Sequence, residues 1–419
     1  MKIARSMLVD PDRNQVYGIA AVALSFFVFA YSSLFGQVSI LAYYGLWFPL
    51  ILVDYKRVLG NYFRYLWIIA FPLLCFLSAF WSPAPSVSLR TAIQLLTHLI
   101  CALIAMRTIS VLTLTRGSIV GTVVVMLYSI VFGHYSYDAM DGSYSFVGSF
   151  ASKNQLGLYA SLGIVFSVLY AIVFRRRDIW LAGAGAAALL CAYCLMASQS
   201  ATSVITTAGL IAACIAYLPF GLLGPSSRKL LFVGVVVVGL AIVVAGLQMG
   251  AVDAILGLFG KDSTLTGRTY LWQQGIEAAH LNPVLGMGYQ GFWVQGFAKP
   301  EQLWDEFFIA TRTGFHFHNT YIEVAVENGL VGLAMLVFLL LRNVFGHLNA
   351  MLNRHNDPSS IVLFAVSLLL LMRSFVEIDV IFPYQIGSFL MFYAAGKLTL
   401  RRPVPQRPQH RYGHHPIVA

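Results

Sequence analysis

The chain has 419 residues, of which 58% are apolar and only 11% charged, and its formal net charge is +10. An ordinary soluble domain carries about 25% charged residues, so a cytosolic globule, a disordered chain and a secreted disulfide scaffold are all disfavoured. The basic balance would point to nucleic acid in a soluble protein, but in a membrane protein it follows from the bias of Lys and Arg toward cytoplasmic loops.

A spanning helix needs about 20 apolar residues. Twelve are predicted, at about 16–33, 36–53, 66–80, 91–106, 118–133, 155–174, 179–197, 202–220, 230–249, 320–341, 359–375 and 384–396. The first two share a charge-free stretch that divides near Gly36, and the seventh and eighth share another that divides at Ser198-Gln199-Ser200. The first run follows Lys2, Arg5 and Arg13 and mimics a signal peptide, but the further spans favour an uncleaved helix. The expected fold is an all-α polytopic membrane protein with about 12 transmembrane helices and one large periplasmic loop carrying short helices. Spans one to nine fall in 1–249, the loop in 250–318, spans ten to twelve in 319–396, and a basic tail in 397–419. The tail is expected to be disordered and suits an anionic inner leaflet.

With the N-terminus placed in the cytoplasm, alternate loops collect 20 Lys and Arg on the inner side. Six fall outside, namely Arg90, Lys153, Lys261, Arg268, Lys299 and Arg312, while Arg373 lies within the eleventh span. The asymmetry predicts both termini inside. The net charge is then a topology signal, and no nucleic-acid partner is expected. The five cysteines lie in apolar runs and read as buried thiols; Cys191 and Cys194 lack a second pair for zinc.

The outer cations are held against the bias and are therefore informative. Lys153 and Asn154 open the sixth span. In the large loop, a short helix is predicted from about Thr269 to His280, capped by Thr266 and ended by Asn282-Pro283. Arg268 then sits at a helix start, where a guanidinium and free backbone N–H groups form one anion site. The competing account is a surface arginine paired with Asp262 or Glu277. Pro283-Val284-Leu285-Gly286-Met287-Gly288 reads as a tight turn or a weak phosphate loop. The loop ends at His316-Phe317-His318-Asn319, followed by Glu323 and Glu327 in the tenth span. A histidine at this boundary can accept a proton from a hydroxyl; a structural role and a weak H-x-H metal site are the alternatives. Arg373 and Glu377 read either as an ion pair within one helix or as functional intramembrane charge. His98 reads as a packing residue. Asp138, Asp141, Asp305 and Glu306 read as solvated acids.

Four stretches, taken together, resemble the O-antigen ligase and polysaccharide polymerase superfamily. They are Phe76 to Pro83 with Ser88-Leu89-Arg90, Phe150 to Gly157, Thr266 to Trp272 continuing through Pro283 to Gly288, and His318-Asn319 through Glu323 to Gly332. The Trp-Ser-Pro, Lys-Asn and Thr-Gly-Arg-Thr-x-Leu-Trp details are most similar to the exopolysaccharide-polymerase branch. The resemblance implies a metal-independent glycosyltransferase of the bacterial inner membrane with no cofactor. It would move a glycan from an undecaprenyl-diphosphate carrier to an acceptor hydroxyl at the periplasmic face. The acceptor is another lipid-linked repeat unit in a polymerase and lipid A core in an O-antigen ligase; membrane lipids and a chain-length regulator are further implied partners. The implied catalytic residues are His318, Arg268 and Glu323. The implied diphosphate and glycan contacts are Arg268, Lys153, Asn154, Arg90, Arg312, Trp272, Asn319 and Arg373. The loop Ser198-Gln199-Ser200-Ala201-Thr202 departs from the family in having no cation, so Lys153, Arg90 or Arg312 would supply the missing charge. A polysaccharide or solute transporter and a non-catalytic scaffold are the rival readings; plain spans and polar residues gathered at one face weigh against the first.

Overall fold

The structure, a computed structural model, describes residues 4–138, 143–217, 220, 222–249, 257, 267–354 and 357–400. Eight helical segments are long and apolar enough to cross a membrane, and three shorter apolar helices accompany them. The first segment, Val16–Val53, begins with α1 (Val16–Trp47), which is broken at Gly36 (φ 58°). Beyond the break the chain doubles back. The Tyr17 hydroxyl reaches the Leu46 carbonyl, and the Trp47 indole donates to Ser25 Oγ at 3.0 Å. Counting this hairpin as two gives nine long apolar segments, beside the three shorter apolar helices, among the described residues. The chain is an all-α, multi-pass membrane protein.

The remaining helices are α2 (Leu66–Leu77), α3 (Pro85–Thr108), α4 (Val111–Phe132), α5 (Lys153–Leu169), α6 (Ile179–Ala197), α7 (Ala201–Tyr217) and α8 (Pro225–Gln248). They are followed by α9 (Arg268–Leu281), α10 (Ala298–Glu306), α11 (Thr320–Asn353), α12 (Pro358–Arg373) and α13 (Ile386–Leu400). The last helix runs past the expected end at 396, and the rest of the expected tail lies outside the described residues. One element was not expected. Residues 134–154 read as an outer loop, but β1 (His134–Asp138) and β2 (Ser143–Gly148) pair there as an antiparallel hairpin. Its signal is the period-two alternation Tyr135-Ser136-Tyr137 and Tyr144-Ser145-Phe146.

The loops sort into two ends of the bundle, as the cation count divides them. At one end Arg57 pairs with Asp10 at 3.0 Å, Arg107 donates to Tyr65 at 3.1 Å, and Lys397 donates to the Ile109 carbonyl at 2.9 Å. At the other end Trp81 donates to the Leu285 carbonyl at 3.2 Å, and Ser78 accepts from the Tyr289 N–H at 2.8 Å. His98 lies between, fully buried, satisfied by Tyr43 at 3.1 Å and Ser388 at 3.0 Å, which is a packing role. The cysteines are free thiols, four of them buried.

α11 is broken at Gly329 (φ 63°, ψ −168°), two turns from its start. The Pro283–Gly288 segment crosses this break like a short strand and takes over the freed backbone groups. Leu330 N donates to Pro283 O at 2.8 Å, Met287 N to Val326 O at 2.9 Å, and Gly288 N to Glu327 O at 2.7 Å. Gly286 and Gly288 have φ of 67° and 96°. A Cβ on Gly286 would lie 2.5 Å from the Asn328 nitrogen. The two glycines thus make a structural turn against a broken helix, not a phosphate loop. Gly329 is the most constrained of these positions, because a Cβ there would meet the Val284 oxygen at 2.3 Å. Gly329→Ala is expected to cost about 1–3 kcal/mol, through positive φ and this overlap. A thermal melt in detergent should show a lowered midpoint; an unchanged midpoint would contradict the packing described.

Candidate functional site

The site is built where α11 begins. Asn319 caps the helix, its Oδ1 accepting from the N–H groups of Tyr321 and Ile322 at 3.0 and 3.2 Å. Its amide donates to the Phe375 carbonyl at 2.9 Å. Thr320 then donates through its backbone to Ser374 O at 2.9 Å and through its hydroxyl to Glu377 O at 2.7 Å. These bonds dock the start of α11 onto the segment after α12. They set His318, the residue before the cap, beside Glu377.

Glu377 is the centre of the arrangement. Its Oε1 accepts from Arg268 Nη2 at 2.9 Å and from Asn154 Nδ2 at 2.7 Å. Its Oε2 lies 3.5 Å from His318 Nδ1. Arg268 also donates through Nη1 to the Val376 carbonyl at 2.8 Å. Among the described residues these bonds use two of the five guanidinium N–H donors. Arg268 is the first residue of α9, and the cap position before it is Gly267, which offers no side-chain acceptor. The Arg268 side chain remains 15% exposed. A second layer supports the first. Asn154 Oδ1 accepts from Ser200 Oγ at 2.8 Å, and the Ser200 and Ser203 hydroxyl oxygens lie 3.0 Å apart. Ser203 accepts from Arg373 Nη1 at 2.8 Å, and Arg373 Nε donates to Asp379 Oδ2 at 2.6 Å.

Two pKa shifts follow. Burial alone would push the Glu377 carboxyl up; Arg268, with His318 and Arg373, overrides it and holds the group well below the usual carboxylate range. Glu377 is therefore ionised throughout the neutral range. Burial, helped by the nearby Arg268 guanidinium, pushes the His316 imidazole down to about 3. Its Nδ1 accepts from the His318 backbone N–H at 3.2 Å. In an unfolded chain the imidazole titrates near 6.5. Between about 3 and 6.5 the unfolded state therefore binds more protons, and the fold loses stability as the pH falls through that window. His316→Asn is expected to make the melting midpoint less sensitive to acid between pH 6.5 and 5. An unaltered slope in that interval would count against the buried neutral imidazole.

His318 adopts a left-handed backbone conformation (φ 52°), uncommon for a residue with a side chain. Its Nδ1 is buried while the side chain is 25% exposed, so the exposure lies on the ring's other edge, which carries Nε2. Glu323 is placed differently from the expectation of a proton acceptor. It is fully buried, and its oxygens accept from Trp293 Nε1 and the Phe317 N–H, both at 2.9 Å. It fixes the residue before His318. Asn319 is likewise committed to capping, as described.

The other expected residues divide. Lys153 is buried at the start of α5, one residue before Asn154. Trp272 lies one turn after Arg268, its indole N–H buried without a partner among the described residues. Arg90 is exposed on α3 and makes no bond to the cluster among the described residues. Arg312 is drawn away by Glu301 and Asp305 on and beside α10. Arg373 and Glu377 are not paired within one helix, because α12 ends at Arg373 and the two find different partners. Arg268 is not paired with Glu277, which instead accepts from Gln273 and Gln274; Asp262 and Thr266 lie outside the described residues. Glu377 itself was read only together with Arg373, as an ion pair or as intramembrane charge, and not as a partner of Arg268 or His318. The available signal was Val376-Glu377-Ile378-Asp379-Val380, two acids alternating with apolar residues between apolar spans. Two adjoining cavities, of about 580 and 500 Å³, share Pro83, Leu281 and Met287 and lie at the far end of α9, away from this cluster.

A multi-pass helical membrane protein that gathers an arginine, a histidine and a buried carboxylate at one end of the bundle is thereby defined. The O-antigen ligase family profile matches residues 186–337, a stretch containing Arg268 and His318 but neither Asn154 nor Glu377. The chain is also 59% identical over 402 residues to the exopolysaccharide production protein ExoQ of Rhizobium meliloti (strain 1021), covering 96% of this chain and 92% of that protein. The chain belongs to the O-antigen ligase-like superfamily, on the same branch as that relative.

Proposed function

We propose that the protein is a glycan polymerase of exopolysaccharide synthesis. It would take a glycan from an undecaprenyl-diphosphate carrier and join it to the hydroxyl of another lipid-linked repeat unit, at the periplasmic face of the inner membrane. The observation that carries this reading is the convergence of Arg268 and His318 on Glu377. The similarity to ExoQ supports the polymer as product.

The chemistry follows from what this transfer needs. The bond that breaks joins the anomeric carbon to the diphosphate oxygen, and negative charge grows on that oxygen. Arg268 would stabilise it through its guanidinium, aided by Lys153. The acceptor hydroxyl loses its proton as its oxygen bonds to the anomeric carbon. His318 Nε2 would take that proton, and ionised Glu377 beside Nδ1 would orient the ring and stabilise the imidazolium. Glu377 also aims Arg268, so one carboxylate positions both groups. Arg373, Asp379, Ser200, Ser203 and Asn154 would hold that carboxylate in place, and Glu323 would hold the His318 backbone.

The acceptor decides between polymerase and ligase. Purified protein in liposomes, given the lipid-linked repeat unit with and without lipid A core, should build longer lipid-linked chains and leave the core unmodified. Glycosylated core without chain growth would instead assign an O-antigen ligase. Uptake of free glycan without any new glycosidic bond would assign a transporter.

A further inference from the structure

The β1–β2 hairpin has an inverted pattern for its position. Tyr135 pairs across with Phe146, and Tyr137 with Tyr144. Directly opposed residues, and residues two apart in a strand, share a face. All four aromatic rings therefore lie on one side. The other side carries Ser145 and Val147, both buried, and packs on α4, α5 and α6. On that side Phe146 is buried, while the three tyrosines are open: Tyr135 is 49% exposed, Tyr144 63% and Tyr137 64%. The Tyr135 and Tyr144 rings stack at 5.4 Å with an interplanar angle of 18°. A strand face turned to water is ordinarily polar, and a lone two-stranded hairpin is marginal without packing. The Tyr135 ring packs on Phe146 at 5.2 Å, but the exposed faces of the three tyrosines exceed what that packing needs.

The hairpin also has a defined place. Gln199 Nε2 donates to the Tyr144 carbonyl at 3.4 Å, and the next residue, Ser200, holds Asn154, which holds Glu377. These links put the tyrosine face on the order of 15–20 Å from the Arg268–Glu377 pair, allowing for two side chains and a peptide unit. A few sugar residues bridge that distance.

We infer that the outward face of Tyr135, Tyr137 and Tyr144 is a saccharide-binding platform that holds the glycan some sugars away from the Arg268–His318 cluster. This rests on the proposed glycan transfer for its ligand class. Tyrosine suits the role: the ring stacks on the apolar face of a pyranose, while the phenol meets its hydroxyls. The rival occupant is the lipid headgroup layer, where tyrosines also gather. Asp138, paired with Ser143 at the end of β1, argues against it, because acids enter a bilayer at high cost.

The test uses the full chain in detergent and, as probe, carrier-free oligosaccharides released from the host's own exopolysaccharide. Saturation-transfer NMR should show binding by the wild type. Tyr135→Ser/Tyr137→Ser/Tyr144→Ser should weaken it at least about tenfold, and the triple Tyr→Phe variant should retain most of it. Equal binding by the serine variant, or no binding by the wild type, would overturn the platform. So would a serine variant whose only defect is weaker association of the hairpin with lipid, read by fluorescence quenching with brominated lipids. In liposomes the serine variant should make shorter chains at raised KM, with transfer from a single-sugar donor unchanged. Oligosaccharide binding through these tyrosines by a protein that transfers nothing would sink the proposed function and spare the platform. Normal elongation by the serine variant would do the reverse.

Discussion

Arg268→Ala is expected to lower glycan transfer by two orders of magnitude or more, because one preorganised charge donor at a developing anion is worth about 10²–10³ in rate. The same substitution strips Glu377 of its closest cation. Breaking a buried pair from one side costs about 3–5 kcal/mol, so reduced abundance of this variant would confound its activity. The double variant Arg268→Ala/Glu377→Ala removes both charges and is expected to recover much of the abundance while remaining inactive. Arg268→Lys is expected to recover little, since one ammonium cannot reproduce a planar fork bonded to both the Val376 carbonyl and Glu377. Transfer by a well-folded double variant at near the wild-type rate would remove Arg268 from the chemistry.

His318→Ala should be the second large effect. A positioned general base contributes about 10²–10⁴ in rate, and the loss should fall on kcat with KM little changed. The side chain is partly exposed and its Nδ1 faces a carboxylate that stays ionised. Little stability rests on it, so abundance should hold. Glu323→Ala should behave in the opposite way. It would orphan the Trp293 indole and the Phe317 N–H in a buried site, so its loss should appear first as a lowered melting midpoint. A His318→Ala enzyme within tenfold of wild type would hand the proton to another group.

The long spans were legible from composition because a bilayer tolerates little else. Even the fold-back at Gly36 showed as a division of one apolar stretch. Arg268 stood out as one of the few cations on the cation-poor side of the expected topology, at the start of a predicted helix. What the sequence hid were relations between distant segments. Glu377 lies 109 residues from Arg268 and 223 from Asn154, and no local spacing predicts that a carboxylate after α12 gathers both. Arg373 and Glu377 looked like partners because a helical spacing was assumed across the end of a helix. Glu323 looked like a base because the donors that occupy it, the Trp293 indole 30 residues away and the Phe317 backbone N–H, leave no mark in the local sequence. The hairpin was missed because charge and span length were read there in place of strand periodicity.

The central claim is that these side chains move a glycan off a lipid diphosphate without a metal. Purified protein in liposomes, supplied with undecaprenyl-diphosphate-linked repeat unit in excess EDTA, tests it most directly, by counting carrier released against glycosidic bonds formed. The account predicts one undecaprenyl diphosphate released per new bond, at a rate that restoring magnesium does not change. Intact donor after prolonged incubation, or release that begins only when a divalent cation is added, would contradict it.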